Sequence, residues 1–188
     1  MALDFRNMKK LSIAGIELKE LLINGYKIWS SVTNWIAKSI NADGTPYRGT
    51  NGEVGYKTGT RLGTSNGVEA DSLTTDVTGF IPCGPKDKFY ISQGLMPGDN
   101  NNRVSVVLYD SSFAFLCYGT VRHMVNNKNA TQLINEGLSF YSDDTLHTVT
   151  PYCLRYYHGS SVVNKTAYVR FGTYPITAAA CITKNEPL

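Results

Sequence analysis

Three histidines, His123, His147 and His158, and a scatter of serines are the residues that could carry nucleophilic or acid–base chemistry in this chain. An activated serine or cysteine needs a base within hydrogen-bond reach and a third group to orient that base. None of the short patterns that signal such an arrangement surrounds these residues. There is no G-x-S-x-G, no H-E-x-x-H, no glycine-rich phosphate loop ending in Gly-Lys-Ser or Gly-Lys-Thr, and no kinase-type set. Hydrolysis of a glycoside would need two carboxylates about 5–10 Å apart in a cleft. Asp143-Asp144 is the obvious pair, but neighbours on an extended chain point to opposite sides, so a turn or solvated loop is the reading there. Asp99-Asn100-Asn101-Asn102 offers the oxygen ligands that calcium prefers, without the alternating acidic spacing and closing glutamate of an EF-hand loop. It reads as a polar loop.

The four cysteines, Cys83, Cys117, Cys153 and Cys181, are too widely spaced to form the close pairs of zinc or redox motifs. Lone buried thiols are expected, because a chain of 188 residues does not need disulfides to hold its core. Basic and acidic residues number 18 and 15, for a formal charge of +3, with the cations scattered rather than gathered in a stripe. That pattern gives no footprint for nucleic acid. The opening MALDFRNMKK lacks the apolar stretch of a secretion signal, and no window has the length and apolarity of a membrane span. No nucleic acid, no membrane insertion and cytoplasmic synthesis are therefore expected.

What remains is binding chemistry. Aromatic rings stack on sugar faces while amides and hydroxyls bond the rim, and Trp35, Tyr47, Tyr56, Tyr118, Tyr156 and Tyr157 are the candidates. Most aromatic residues of a β domain belong to its core. Tyr47 and Tyr56 are the better ligand-binding candidates, with Arg61 nearby, since they lie in a glycine-rich stretch almost empty of large aliphatics, and loops carry recognition.

The elements that position these residues are strands. With 12 tyrosines and 17 glycines among many Asn, Ser and Thr, the composition favours strands joined by tight turns. Residues 9–18 align with residues 19–28, so that Lys, Leu, Ile and Gly recur in register. Asn24-Gly25, between Leu21-Leu22-Ile23 and Tyr26-Lys27-Ile28-Trp29, is a strong hairpin signal because a type I′ turn needs positive φ at both central residues. Ala14-Gly15 suggests a second hairpin. Isolated hairpins are marginal in water, so Leu11, Ile13, Leu21, Ile23, Tyr26, Ile28 and Trp29 are candidate docking or oligomerisation residues.

Residues 30–40 read as linker plus first strand, and the glycine-rich stretch from 41 to about 76 as an elaborated loop region. Short apolar segments follow at 77–81, 88–92, 103–110, 113–119, 152–157, 167–171 and 178–183, a spacing that suggests a sandwich of antiparallel strands. A helical turn fits residues 129–137, and residues 138–141 could open a further strand. In TGFIPCGPKD the strand ends at Pro82 and Pro85 presets the turn, while Asp110-Ser111-Ser112 is a second turn signal.

Several of these phrases form a set: DGTPY, GYKTGTRLGTSNGVE, DVTGFIPCGPKDKFYIS, VVLYDSSFAFL, YVRFGTYPI and the closing ITKNEPL, preceded by KKLSIAGIELKELLINGYKIW. Together they resemble bacteriophage and prophage virion proteins of the tail, baseplate and head-fibre appendage type. Cys83 and Lys88 depart from that group's usual residues without disturbing the turn. The resemblance implies an all-β protein in which an N-terminal hairpin repeat, residues 1–35, precedes a jelly-roll-like antiparallel β-sandwich, residues 36–188. It implies a non-catalytic virion subunit, assembled in a bacterial host cytoplasm, whose partners are other virion proteins, copies of itself in a trimer, and a host-surface glycan. No cofactor is implied beyond the structural calcium that carbohydrate-binding sandwiches sometimes hold. A free-standing carbohydrate-binding module is the alternative reading, and a polysaccharide depolymerase the more remote one.

Overall fold

The computed structural model describes residues 11–13, 16–18, 20–23, 26–30, 33–91, 104–120, 147–173, 176 and 180–185. The chain divides into two compact units, Met1–Thr33 and Asn34–Leu188.

In the first unit β1 (Leu11–Ile13) pairs antiparallel with β2 (Ile16–Leu18), and β3 (Glu20–Ile23) with β4 (Tyr26–Ser30). The register sets Leu11 opposite Leu18, Ile13 opposite Ile16, Leu21 opposite Trp29 and Ile23 opposite Tyr26. Four apolar pairs are thus opposed, while Leu22 stands opposite Lys27, and such cross-strand pairs are the unit of sheet stabilisation. The two connections, Ala14-Gly15 and Asn24-Gly25, lie outside the described residues.

The second unit is built from antiparallel sheets. β5 (Tyr56–Lys57), β8 (Asp76–Thr78), β14 (Tyr168–Thr173), β11 (Ser105–Tyr109) and β12 (Phe115–Thr120) lie side by side, and β9 (Ile81–Pro82) also pairs with β14. A three-stranded sheet sets β10 (Phe89–Ile91) between β13 (His147–Val149) and β15 (Ile182–Lys184). β6 (Thr60–Leu62) and β7 (Glu69–Asp71) form a separate antiparallel pair.

Period-two alternation decides the packing. On β11 and β14, Val106, Leu108, Val169 and Phe171 join Phe89, Ile91, Val149 and Ile182 of the three-stranded sheet in the larger core. Phe89 and Phe171 meet edge to face at 5.3 Å. The alternate residues Val107 and Tyr109 pack with Val77 and Leu62 in a second core, so the larger sheet is buried on both faces. Strands of this kind read as continuous apolar runs, as Val106-Val107-Leu108-Tyr109 does. On β12 a register shift beside Leu108/Tyr109 pairs Cys117 with Leu108 and Phe115 with Tyr109. Leu116 is the extra residue, which lets Phe115 and Cys117, two apart, serve opposite cores.

Four sequence expectations are corrected. The segment 152–157 is helical, with a 3₁₀ turn at Pro151–Leu154, α1 at Arg155–His158 and α2 at Ser160–Val163. Pro151 suits a first helical position, and Leu154 and Val163 anchor the helices in the larger core. Burial of those two side chains outweighs the strand preference of the tyrosines. The segment 77–81 is split into β8 and β9. Phe80 leaves the ladder to bridge Ile40, exchanging two backbone hydrogen bonds of 2.9 Å with it, while the Thr78 hydroxyl takes the Phe171 amide at 3.0 Å and fills the gap. The glycine-rich stretch is not all loop, since β5, β6 and β7 lie within it. Residues 35–38 of the expected first strand form a turn, and Ile40 makes only isolated bridges. The expected helical turn at 129–137 and strand at 138–141 lie outside the described residues.

Candidate functional site

The only Arg–Glu ion pair among the described residues forms on the face of the sheet that carries the second core. β14 reads Tyr168-Val169-Arg170-Phe171, so period two sends Arg170 to the side opposite Val169 and Phe171. Only 5% exposed, its guanidinium donates Nε to the Thr78 carbonyl at 2.8 Å and Nη2 to Glu69 Oε1 at 2.6 Å. Nη2 also reaches the Tyr47 hydroxyl oxygen at 3.3 Å, and the cation lies over the rings of Phe80 and Tyr47 at 5.0 and 5.3 Å. Tyr47 donates its hydroxyl to Glu69 Oε1 at 2.8 Å, and Lys57 Nζ caps Glu69 Oε2 at 3.1 Å.

Burial pushes the Glu69 carboxyl up. The hydrogen bond and charge of Arg170, helped by Tyr47 and Lys57, outweigh it and hold the group at about 2. Burial raises the Tyr47 phenol, which therefore stays a neutral donor. The network ties β7, through Glu69, to the central strand β14. Its chemistry is that of a clamp, in which both carboxylate oxygens of Glu69 accept from side chains that the fold brings to them.

Tyr47 is accordingly 7% exposed, with its hydroxyl committed to this clamp, and offers no ring face to solvent. Tyr56 is half-buried against the larger core. Arg61 is exposed on β6, opposite Ala70. Leu11, Ile13, Leu21, Ile23, Tyr26, Ile28 and Trp29 stand on β1, β3 and β4 of the first unit. Arg170, Glu69 and Lys57 were not legible as partners. The signal available was a charged residue flanked by Val169 and Phe171 in a strand that is otherwise apolar, which calls for a buried counter-charge.

A second feature is aromatic and lies at the rim of the same face. Phe113 stacks on Tyr168 with ring centroids 4.3 Å apart and planes at 21°. Phe80 meets Phe113 edge-on at 5.0 Å, and all three rings are partly exposed. Phe113 has φ 63, a left-handed conformation that costs a bulky residue about 1–2 kcal/mol. The turn that holds it is closed by Asp110, whose Oδ1 accepts from the Ser112 amide at 2.8 Å, the Ser112 hydroxyl at 2.6 Å and the Ala114 amide at 3.0 Å.

His158 is committed as well, with Nε2 donating to the Tyr118 carbonyl at 2.7 Å. His123, Asp99 to Asn102 and Asp143-Asp144 lie outside the described residues, as does the His147 side chain. Among the described residues no three His, Cys, Asp or Glu side chains gather to hold a metal, and no helix is long and apolar enough to cross a membrane. Comparison of the chain with protein-family models, with curated proteins and with solved structures finds no match.

Proposed function

We propose that this chain is a non-catalytic structural subunit of a bacteriophage virion, of the tail, baseplate or capsid-appendage kind. In this reading residues 1–35 are a hairpin repeat that docks the subunit, and the rest is a jelly-roll-like sandwich that presents a surface to host glycans. The observation that carries it is the separation of Met1–Thr33 as a compact unit made of short two-stranded sheets. Sheets of two short strands are at best marginally stable alone, and their register gathers Leu11, Leu18, Ile13 and Ile16 into opposed apolar pairs. Such positions gain stability by covering one another across subunits or by packing on another virion protein. The virion phrases of the sequence and the all-β second unit support the same reading.

Light scattering on the full chain and on a chain lacking residues 1–33 tests it. The full chain is expected as a trimer and the shortened chain as a monomer. Monomers in both cases would remove self-association through the first unit. Turnover of a host polysaccharide by the purified protein would remove the non-catalytic assignment.

A further inference from the structure

We infer that the turn between β11 and β12, together with the adjoining part of β14, is a saccharide-binding platform: the Phe113–Tyr168 stack is its apolar floor and Asp110 its hydroxyl acceptor. The inference rests on the reading that the second unit presents a glycan-binding surface, and it names the site.

The turn needs no phenylalanine. Phe113 N donates to the Asp110 carbonyl at 3.0 Å and Asp110 N to the Ala114 carbonyl at 3.0 Å, bonds that any residue but proline at 113 would leave in place. At φ 63 a glycine would fit without steric cost. What phenylalanine adds is a ring, and that ring, part of neither core, lies on Tyr168 and beside Phe80, two partly exposed residues that pack against the second core. Two rings are thereby held in fixed orientation where solvent reaches them. The face of a pyranose bears C–H groups that pack on the negative face of an aromatic ring, whereas its rim bears hydroxyls that need partners.

Those partners stand on the same turn. Asp110 Oδ1 is filled by Ser112 and Ala114, and among the described residues Oδ2 takes no hydrogen bond. The Ser112 hydroxyl and the Ala114 and Ser112 amides hold the Asp110 carboxyl below its usual range, so it remains an ionised acceptor. The Tyr168 hydroxyl likewise has no hydrogen-bond partner among the described residues. A carboxylate beside the rings disfavours a phosphate-bearing ligand. Three partly exposed rings also fall short of the roughly 800 Å² per partner that a stable protein interface covers, but match the footprint of one or two sugar units.

The test is a set of ¹H–¹⁵N titrations of the full chain with glucose-, galactose- and N-acetylglucosamine-based oligosaccharides and with peptidoglycan fragments. Saturable shifts are expected at the amides of residues 111–114 and Tyr168 with at least one of these probes. Phe113→Gly relieves the left-handed strain and keeps the turn, so it should fold as well as the parent while binding that probe about tenfold more weakly or worse. Phe113→Trp, which keeps a ring, should retain binding. Saturable shifts confined to other residues, or binding unchanged by Phe113→Gly, would overturn this site and leave glycan presentation by the second unit in place. No saturation with any probe would overturn the saccharide assignment itself. Docking through the first unit is judged separately, by scattering.

Discussion

Arg170 is buried on a strand whose neighbours are apolar, so the carboxylate opposite it is the side chain whose titration matters most to the second core. Glu69 is held at about 2 in the folded protein, against an ordinary value of 4.5. A depressed folded value means that its contribution is fully present above the ordinary value and is lost as pH falls through the folded one. Stability measured by urea titration should therefore decline between about pH 5 and pH 2, and the decline should be shallower in Glu69→Gln. At neutral pH the same variant should lose on the order of 3 kcal/mol, because Arg170 is left uncompensated in a buried site. The thiols follow the same logic of burial. Cys83 and Cys117 are free and buried, and desolvation pushes both to about 12, with Asp87 adding to the rise at Cys83. Thiolate is the reactive form, so both should resist a thiol reagent at pH 8 in the native protein and react once urea unfolds it.

Between residues and the whole lie the connections that fix strands lacking long ladders of their own. Asp76 on β8 is 4% exposed and accepts two backbone N–H groups, from Gly59 at 3.0 Å and Ile176 at 2.7 Å. One carboxylate thus pins both the turn before β6 and the chain beyond β14. Asp76→Ala would leave the buried Ile176 amide unpaired, a loss of about 1–3 kcal/mol, and would release the amide of the exposed Gly59 to solvent. Urea titration should show a destabilisation of at least that size, and native-state hydrogen exchange should show faster exchange first at Gly59 and Ile176. Gly55 is a second fixed point. Its φ is +84, and a Cβ there would run into the Ile36 carbonyl, so the strand bearing Tyr56 is reached only through glycine.

At the scale of the molecule, Asn34–Leu188 contains both cores and all the sheets that flank them. A chain lacking residues 1–33 should therefore unfold cooperatively, with a midpoint close to that of the corresponding transition in the full chain, as followed by circular dichroism. Loss of cooperativity on deletion would show that the second unit depends on the first. The outer strand of the larger sheet, β12, carries the bulge at Leu116, and bulges at sheet edges limit further pairing.

The sequence by itself determined the all-β character, the strands around 89–91, 105–109, 115–120 and 168–173, and the turns at 84–87 and 110–112. These depend on local causes: β-branched and aromatic runs, proline's fixed φ, and aspartate bonding the backbone two residues on. Tertiary structure decided the rest. The tyrosines of 152–157 went into helical turns because Leu154 and Val163 gained more by burial than the strand would have gained by pairing. Tyr47, read as a loop aromatic free to meet a ligand, became part of a clamp because Glu69 and Arg170, distant from it in sequence, converge on its hydroxyl. Phe113 sits in a turn that the sequence announced, yet its stack on Tyr168 exists only because β14 lies beside β11. Chemistry assembled from distant segments leaves no local pattern, since the forces that select it are burial and charge pairing across the fold.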